Sequence, residues 1–118
     1  MSQATEAFID RLIGAVPQLQ PLREKHVEGN FGELLPHVLM GEITAEAVEL
    51  YVRGDQGTVR RLLDFLETEA EAGHEGDVDE LIAVSFVENL PYDGEPGHAI
   101  TGELGPRLSE ILRLQRQP

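Results

Sequence analysis

The sequence predicts an all-helical fold, with residues 1–118 forming a single compact domain of five or six helices. Apolar residues recur at spacings of three and four, which is typical of amphipathic helices. Aromatic residues are scarce (four Phe, two Tyr and no Trp), so aliphatic side chains must fill most of the core. A single stretch has the composition of a strand, and a lone strand would leave its backbone hydrogen-bonding groups without partners.

The first two helices are bounded by residues that cap or stop helices. Ser2 or Thr5 can cap the first helix, and Pro17 is expected to end it. A short second helix is predicted with Pro21 in its first turn. Gly29-Asn30 is a typical stop signal, so this helix is expected to end there.

A long third helix is predicted from about Glu33 to Arg53, because apolar residues step by four along one face. These residues are Leu35, Leu39, Ile43, Ala47 and Tyr51. Pro36 is acceptable because it lies in the first turn. The alternatives are a kink near Gly41 or a split into two helices, with Thr44 capping the second.

The fourth helix is predicted to run to about Ala72. Asp55 or Thr58 can cap its start, and Gly73 is a suitable C-terminal stop. Its apolar face is formed by residues at helical spacing, namely Val59, Leu62, Leu63 and Leu66. We therefore expect an amphipathic helix that packs one side against the core.

The stretch DVDELIAVSFVENLP has strand propensity but is predicted to form a buried central helix over residues 78–90. Asp77 followed by Glu80 matches a capping box, with Asp in place of Ser or Thr. Leu90-Pro91 is expected to terminate the helix. Because apolar residues cover nearly all sides, the helix should lie between others.

A long loop is predicted from Pro91 to Gly102, followed by a last helix that begins near Pro106. Gln115 to Pro118 are expected to fray. Successive antiparallel helices could form a bundle or a short stack of helix pairs, as in helical-repeat proteins. The buried central helix slightly favours the bundle.

Composition limits the classes of function. The chain has no cysteine, which excludes disulfides and cysteine-bound metals. Neither a signal peptide nor a membrane-spanning stretch is recognisable, so a cytoplasmic location is expected. The net charge of −13 disfavours binding to nucleic acids and to anionic membranes. It favours association with a basic protein partner.

The negative charge is concentrated in the second half of the chain. Between Leu62 and Pro106 there are twelve Asp and Glu residues and no Lys or Arg. This acidic window can be a partner-binding surface or a solvated face that maintains solubility. Its loop contains Tyr92 between Pro91 and Asp93, and an exposed tyrosine among acids is a plausible interface anchor. Alternatively, Tyr92 packs down and pins the loop.

No residue pattern indicates catalysis, a cofactor or a strong metal site. The four histidines do not pair at helical metal-binding spacing. Glu75, Asp77 and Asp79 could hold a divalent cation, but they lack the ligand order of a calcium loop. Ser85 lacks the glycines of a nucleophile elbow. We therefore predict no enzyme activity, no cofactor and no metal.

Four stretches resemble a family of small, acidic, helical bacterial proteins of unknown function. In order, they are GELLPHVLMGEIT, VRRLLDFLE, LIAVSFVENLP and LGPRL. The resemblance spans roughly residues 31–108 and consists mainly of packing motifs, so it implies fold rather than activity. Size and charge are similar to those of immunity proteins that neutralise bacterial toxins, an analogy at the level of class.

The function predicted from sequence is a non-enzymatic acidic binding protein, immunity- or antitoxin-like, that occludes a basic protein such as a toxin or nuclease. The alternative is a helical adaptor or an oligomeric scaffold without a toxin partner. An enzyme is the third class, and the oligomeric state stays open. The predicted partner-binding residues are Asp64, Glu67, Glu71, Glu75, Asp77, Asp79, Tyr92, Asp93 and Glu95.

Overall fold

The computed structural model describes residues 3–73 and 76–117. The helices are α1 (Gln3–Ala15), α2 (Gln20–Gly29), α3 (Pro36–Arg53), α4 (Gln56–Ala72), α5 (residues 77–89) and α6 (Pro106–Gln115), with 3-10 segments at Pro17–Leu19 and His98–Glu103. The described residues contain no strand, which confirms the all-helical class. Counted as unbroken runs, they form seven helical segments. The prediction of five or six missed the 3-10 segment in the supposed long loop.

The boundaries of α1 and α2 follow the proline and glycine signals. Helix α1 ends just before Pro17, which begins the 3-10 turn leading into α2. Thr5 is buried within α1 and therefore does not cap it. The other predicted cap, Ser2, lies outside the described residues. Helix α2 ends at Gly29, where the sequence predicted a stop.

Helix α3 is unbroken, so the alternative of two shorter helices is wrong. It begins at Pro36, three residues later than predicted, because proline fits the first helical position. The Thr44 hydroxyl donates to the Met40 carbonyl at 2.8 Å, a bond made within one continuous helix. Gly54 ends α3 in the left-handed conformation, with φ 91°.

Asp55 caps α4, as one of the two sequence alternatives proposed. Its side chain accepts the Thr58 N–H at 3.2 Å and the Thr58 hydroxyl at 2.9 Å. The backbone bond from Thr58, followed by the hydroxyl bond, lowers the pKa of Asp55 below its ordinary value. The predicted end of the helix at Ala72 is confirmed.

Helix α5 confirms the predicted central helix but changes geometry along its length. Asp77–Glu80 is α-helical, Leu81–Phe86 is a π-helix and Val87–Asn89 is a 3-10 turn. The predicted capping box is wrong, because Gly76 occupies the N-cap and Asp77 already lies in the first turn. The helix packs against α1, α3 and α6, which makes it central.

Side chains of α3, α6 and the end of α5 itself bond the carbonyls of the π-helical segment. The Ser85 carbonyl accepts bonds from Thr44 Oγ1 at 3.2 Å and Asn89 Nδ2 at 2.9 Å. The Ala83 carbonyl accepts one from Gln115 Nε2 at 2.8 Å. Such partners compensate for the regular α-helical bonding that a π-helix gives up.

One apolar cluster lies at the centre of the described residues, with Phe8 and Phe86 among its largest fully buried side chains. Helix α1 contacts both α4 and α5, which are distant from it in sequence. In a linear stack each unit would contact its neighbours alone, so the arrangement favours the bundle. The Cα radius of gyration is 13.6 Å, close to the ~13.5 Å of a compact domain this long. None of the described helices is both long and apolar enough to cross a membrane.

Candidate functional site

The predicted partner-binding residues fall into two groups, which precede and follow the central part of α5 in the chain. One group lies on α4 and at the start of α5, and the other lies on the loop of residues 90–97, which follows α5. Helix α5 spans 13 residues, so its ends are roughly 20 Å apart. Glu75 lies outside the described residues. The described residues of the predicted site therefore lie on two separate parts of the chain.

Glu67 has a structural role instead of the predicted partner-binding role. It is buried, and its carboxylate accepts the backbone N–H groups of Arg107 at 2.8 Å and Leu108 at 3.0 Å. These bonds satisfy the free N–H groups at the start of α6, where the helix dipole also favours a negative charge. A Cβ atom at residue 105 would lie 2.5 Å from Glu67 Cδ, so this close approach requires Gly105.

Three other acids of the first group lie near basic residues. Asp64 is exposed and pairs with Arg60 at 3.2 Å, one turn earlier on α4. Glu71 and Arg107 line one surface groove, while Asp79 and Arg107 line an adjacent cavity of about 150 Å³. Arg107 therefore brings a positive charge into the acidic window. Asp77 is exposed in the first turn of α5.

Hydrogen bonds within the loop of residues 90–97 hold it in one conformation. The Tyr92 N–H donates to the Glu95 carboxylate at 2.6 Å, and the Glu95 N–H donates to the Tyr92 carbonyl at 2.9 Å. Gly97 packs so closely on α3 that an added Cβ would lie 2.5 Å from Val48. Because its carboxylate and its N–H both bond Tyr92, Glu95 stabilises the conformation of the loop.

Arg116 anchors the same loop from the C-terminal end of the chain. Its guanidinium donates to the carbonyls of Leu90 and Pro91, the latter at 2.9 Å. It also lies 3.8 Å from the centre of the Tyr92 ring, a cation–π contact. The prediction that the C-terminal residues fray is therefore wrong at Arg116, which is bound to the loop.

Tyr92 and Asp93 are the loop residues most available to a partner. Tyr92 is 54% exposed although one face of its ring contacts Arg116. The sequence offered two alternatives for Tyr92, an exposed ring and a ring packed against the loop, and each describes one face of the ring. The Asp93 side chain is fully exposed, with His98 Nδ1 at 4.0 Å. The loop thus presents a half-exposed aromatic ring beside a fully exposed carboxylate.

Sequence reasoning did not anticipate a polar contact between α3 and α5. His37 Nδ1 lies 2.5 Å from Ser85 Oγ, although the two residues are 48 positions apart. A serine–histidine pair can activate a nucleophile; here Ser85 is buried, whereas His37 is exposed at the start of α3. No local signal reveals this pair, because it depends on how α3 packs on α5.

Phe31 was also missed. It lies between α2 and α3, is 100% exposed and has a positive φ of 57°. The available sequence signal is an aromatic residue enclosed by Gly29-Asn30 and Gly32. The sequence prediction used Gly29-Asn30 as a helix stop and gave no role to Phe31.

In residues 3–73 and 76–117, no group of three or more His, Asp or Glu side chains is arranged to hold a metal ion. The weak cation site considered from Glu75, Asp77 and Asp79 includes one residue outside that part of the chain. The cavity beside Asp79 and Arg107 is lined mainly by apolar side chains.

Fold and surface together define a small, acidic, all-helical protein with two distinctive helix connections. The family model described as Domain of unknown function (DUF7674) matches residues 9–116. The protein therefore belongs to this family, which confirms the predicted membership of an uncharacterised family. Comparison with curated proteins found no match, and neither did comparison with solved structures.

Proposed function

We propose that the protein is a non-enzymatic binding protein that occludes a basic protein partner, in the manner of an immunity protein or antitoxin. The binding surface is the loop of residues 90–97. The observation that carries the proposal is that this loop is fixed while the Asp93 carboxylate is fully exposed. We place the protein in the cytoplasm of a bacterium and its partner among toxins, of which nucleases are the leading class.

A fixed loop supports a binding function because ordering a flexible segment opposes association. Two bonds between Tyr92 and Glu95 close the loop, and Arg116 ties its start to the end of α6. These contacts exist before any partner arrives, so little conformational entropy is lost on binding. The half-exposed Tyr92 ring offers rigid contact area of the kind enriched at interfaces.

Charge supports a basic partner. The chain has 22 Asp and Glu against nine Lys and Arg. Such an excess steers a positively charged protein toward the surface and raises its association rate. Asp93 adds a local negative charge, and Arg116 partly offsets it from beneath the Tyr92 ring.

The non-enzymatic part of the proposal is supported by burial of the Ser85 hydroxyl against His37. Its carbonyl is also bonded by Thr44 and Asn89, which fixes the residue within the π-helix. A hydroxyl in this setting stabilises the contact between α3 and α5.

The test is binding to the basic protein encoded next to this gene, measured by calorimetry at about 50 and about 300 mM salt. We expect affinity to fall steeply with salt, because exposed charges are screened. Asp93→Asn should weaken binding roughly fivefold at the lower salt. Glu24→Gln on α2 removes the same charge away from the loop and is the matched control.

Two results would contradict the proposal. One is no binding to a basic neighbour at either salt concentration. The other is equal weakening by Asp93→Asn and Glu24→Gln, because net charge rather than the loop would then account for the attraction.

A further inference from the structure

The connection between α2 and α3 carries an aromatic side chain in a strained position. Phe31 is completely exposed and adopts φ 57°, the left-handed region that disfavours residues with a Cβ atom. Among the described residues other than glycine, Phe31 is the one with a positive φ. An exposed ring contributes no burial to the core, so folding does not explain why this residue is phenylalanine.

Hydrogen bonds around Phe31 require the left-handed turn. The Gly32 N–H donates to the Val27 carbonyl at 2.9 Å, which is the bond that closes a Schellman ending. In that motif the left-handed position is usually glycine, and here Phe31 occupies it. Glycine follows one residue later, at position 32. The chain thus places a bulky aromatic residue where the backbone favours glycine.

A buried histidine forms the base of this turn. His26 Nε2 accepts the Leu35 N–H at 3.0 Å, and its Nδ1 lies 2.9 Å from the Glu42 carboxylate. The Asn30 side chain donates to the His26 carbonyl at 2.7 Å. The segments on both sides of Phe31 are therefore tied to one residue of α2, so the ring projects from a rigid turn.

Acidic and apolar residues neighbour Phe31 in the sequence, and Lys25 of α2 lines a groove beside Asn30 and Glu42. Residues 26–52 contain no Lys or Arg. Their acids are Glu28, Glu33, Glu42, Glu46 and Glu49. Glu28 and Glu33 are exposed on either side of Phe31, and Val38 on the first turns of α3 is half exposed.

We propose that Phe31 is the anchor of a second interaction surface, and that it inserts into an apolar pocket rimmed by Lys and Arg on a protein partner. Strain that persists at an exposed residue is a recognised mark of functional sites. Aromatic anchors that fill a partner's pocket dominate many interfaces. The charge of the chain, −13, opposes self-association, so the occupant is a basic protein and not a second copy.

This surface is separate from the loop of residues 90–97. Phe31 precedes the N-terminus of α3, whereas the loop packs on Val48 and Val52 in the C-terminal half of that helix. The inference therefore stands independently of the function proposed above. Variants of the two surfaces distinguish failure of one from failure of the other.

The first experiment measures the strain. Phe31→Gly should shift the folding equilibrium roughly fivefold or more toward the native state relative to Phe31→Ala, because glycine adopts the left-handed turn without penalty. Urea denaturation of both variants provides the comparison. If Phe31→Gly is no more stable than Phe31→Ala, the premise of a strained anchor is wrong.

The second experiment uses a displayed library of random peptides as the probe, selected on the wild-type protein and counter-selected on Phe31→Gly. We expect recovered peptides to combine Lys or Arg with large apolar residues and to bind Phe31→Gly roughly tenfold more weakly. Leu114→Ala removes a half-exposed apolar side chain from α6 and should leave binding unchanged. Asp93→Asn should also leave it unchanged.

Three outcomes would overturn this inference. The selection could recover no peptide that discriminates between wild type and Phe31→Gly. The recovered peptides could lack basic residues, which would contradict the proposed rim. Sedimentation could show a dimer that Phe31→Gly abolishes, in which case a second copy occupies the surface.

Discussion

Two helix connections present aromatic residues, but they stabilise them in opposite ways. Tyr92 is half exposed and lies against Arg116, which also bonds the carbonyls at the start of its loop. Phe31 is fully exposed on a turn whose hydrogen bonds hold the backbone and leave the ring in solvent. The first ring therefore contributes to the stability of its loop, whereas the second costs stability.

This difference determines whether the role of each ring in binding can be measured separately from its role in stability. Removing the Tyr92 ring would impair both the fold and any binding, so its role in binding is hard to isolate. Phe31 can be replaced by glycine with an expected gain in stability. A loss of binding in that variant could not be attributed to unfolding.

The largest expected effect on stability comes from removing His26, the buried side chain that supports the turn of Phe31. His26→Ala removes the acceptor of the Leu35 N–H and the partner of Glu42, and it opens a cavity at a fully buried side chain. We expect a loss of ~3 kcal/mol in the free energy of unfolding, measured by urea denaturation. Hydrogen exchange should accelerate at residues 30–35 more than at residues 92–98.

The matched control for that variant is Glu42→Gln. The Leu35 N–H donates to His26 Nε2, so the ring proton lies on Nδ1 and points toward Glu42. A glutamine oxygen can accept the same bond, so the cost should stay below ~1 kcal/mol. A cost for Glu42→Gln as large as that for His26→Ala would contradict this assignment of the proton.

A smaller effect is expected from the anchor of the other connection. Arg116→Ala removes the donors to the buried Leu90 and Pro91 carbonyls and the stack on Tyr92. We expect a loss of ~2 kcal/mol, with faster exchange across residues 92–98 and little change at residues 30–35. Urea denaturation measures the loss of stability, and hydrogen exchange shows which residues are affected.

Arg116→Lys keeps the charge but not the planar group that bonds and stacks at once. It should recover less than half of the lost stability. Full recovery of stability in Arg116→Lys would mean that the positive charge alone holds the loop. If Arg116→Ala accelerated hydrogen exchange equally at residues 92–98 and 30–35, the two connections would not be stabilised independently.

The two connections also differ in how far sequence reasoning reached them. Pro91, Tyr92 and Asp93 marked an exposed loop with an interface-like residue, and the structure exposes Tyr92 and Asp93. The role of Arg116 was missed, because a C-terminal arginine gives no sign of the carbonyls it will meet. Gly29-Asn30 correctly predicted the end of α2, but the residue in the left-handed conformation is the next one, Phe31. Nothing in the sequence indicated that a phenylalanine would adopt that conformation.

The same limit applies to the helices and to the predicted site. Apolar spacing with Asp55 and Gly73 predicted α4 correctly, since these signals are local. The π-helix could not be predicted, because it depends on side chains of α3 and α6 reaching its carbonyls. Glu67 looked like a surface acid because its partners lie 40 residues further along the chain.

The smallest expected effect concerns the short connection between α3 and α4, which carries no aromatic residue and serves as a reference for the other two. Asp55 is exposed, and bonds from Thr58 lower the pKa of its carboxyl below the ordinary value of 3.8. A lowered folded-state pKa means that this stabilisation is complete above pH 3.8 and is lost as the pH falls through the folded value. Asp55→Asn keeps the cap without the charge, so it should be slightly less stable than wild type at neutral pH. The difference between the two urea midpoints should shrink below pH 3.8, and a difference that is constant with pH would show that the charge of Asp55 does not stabilise α4.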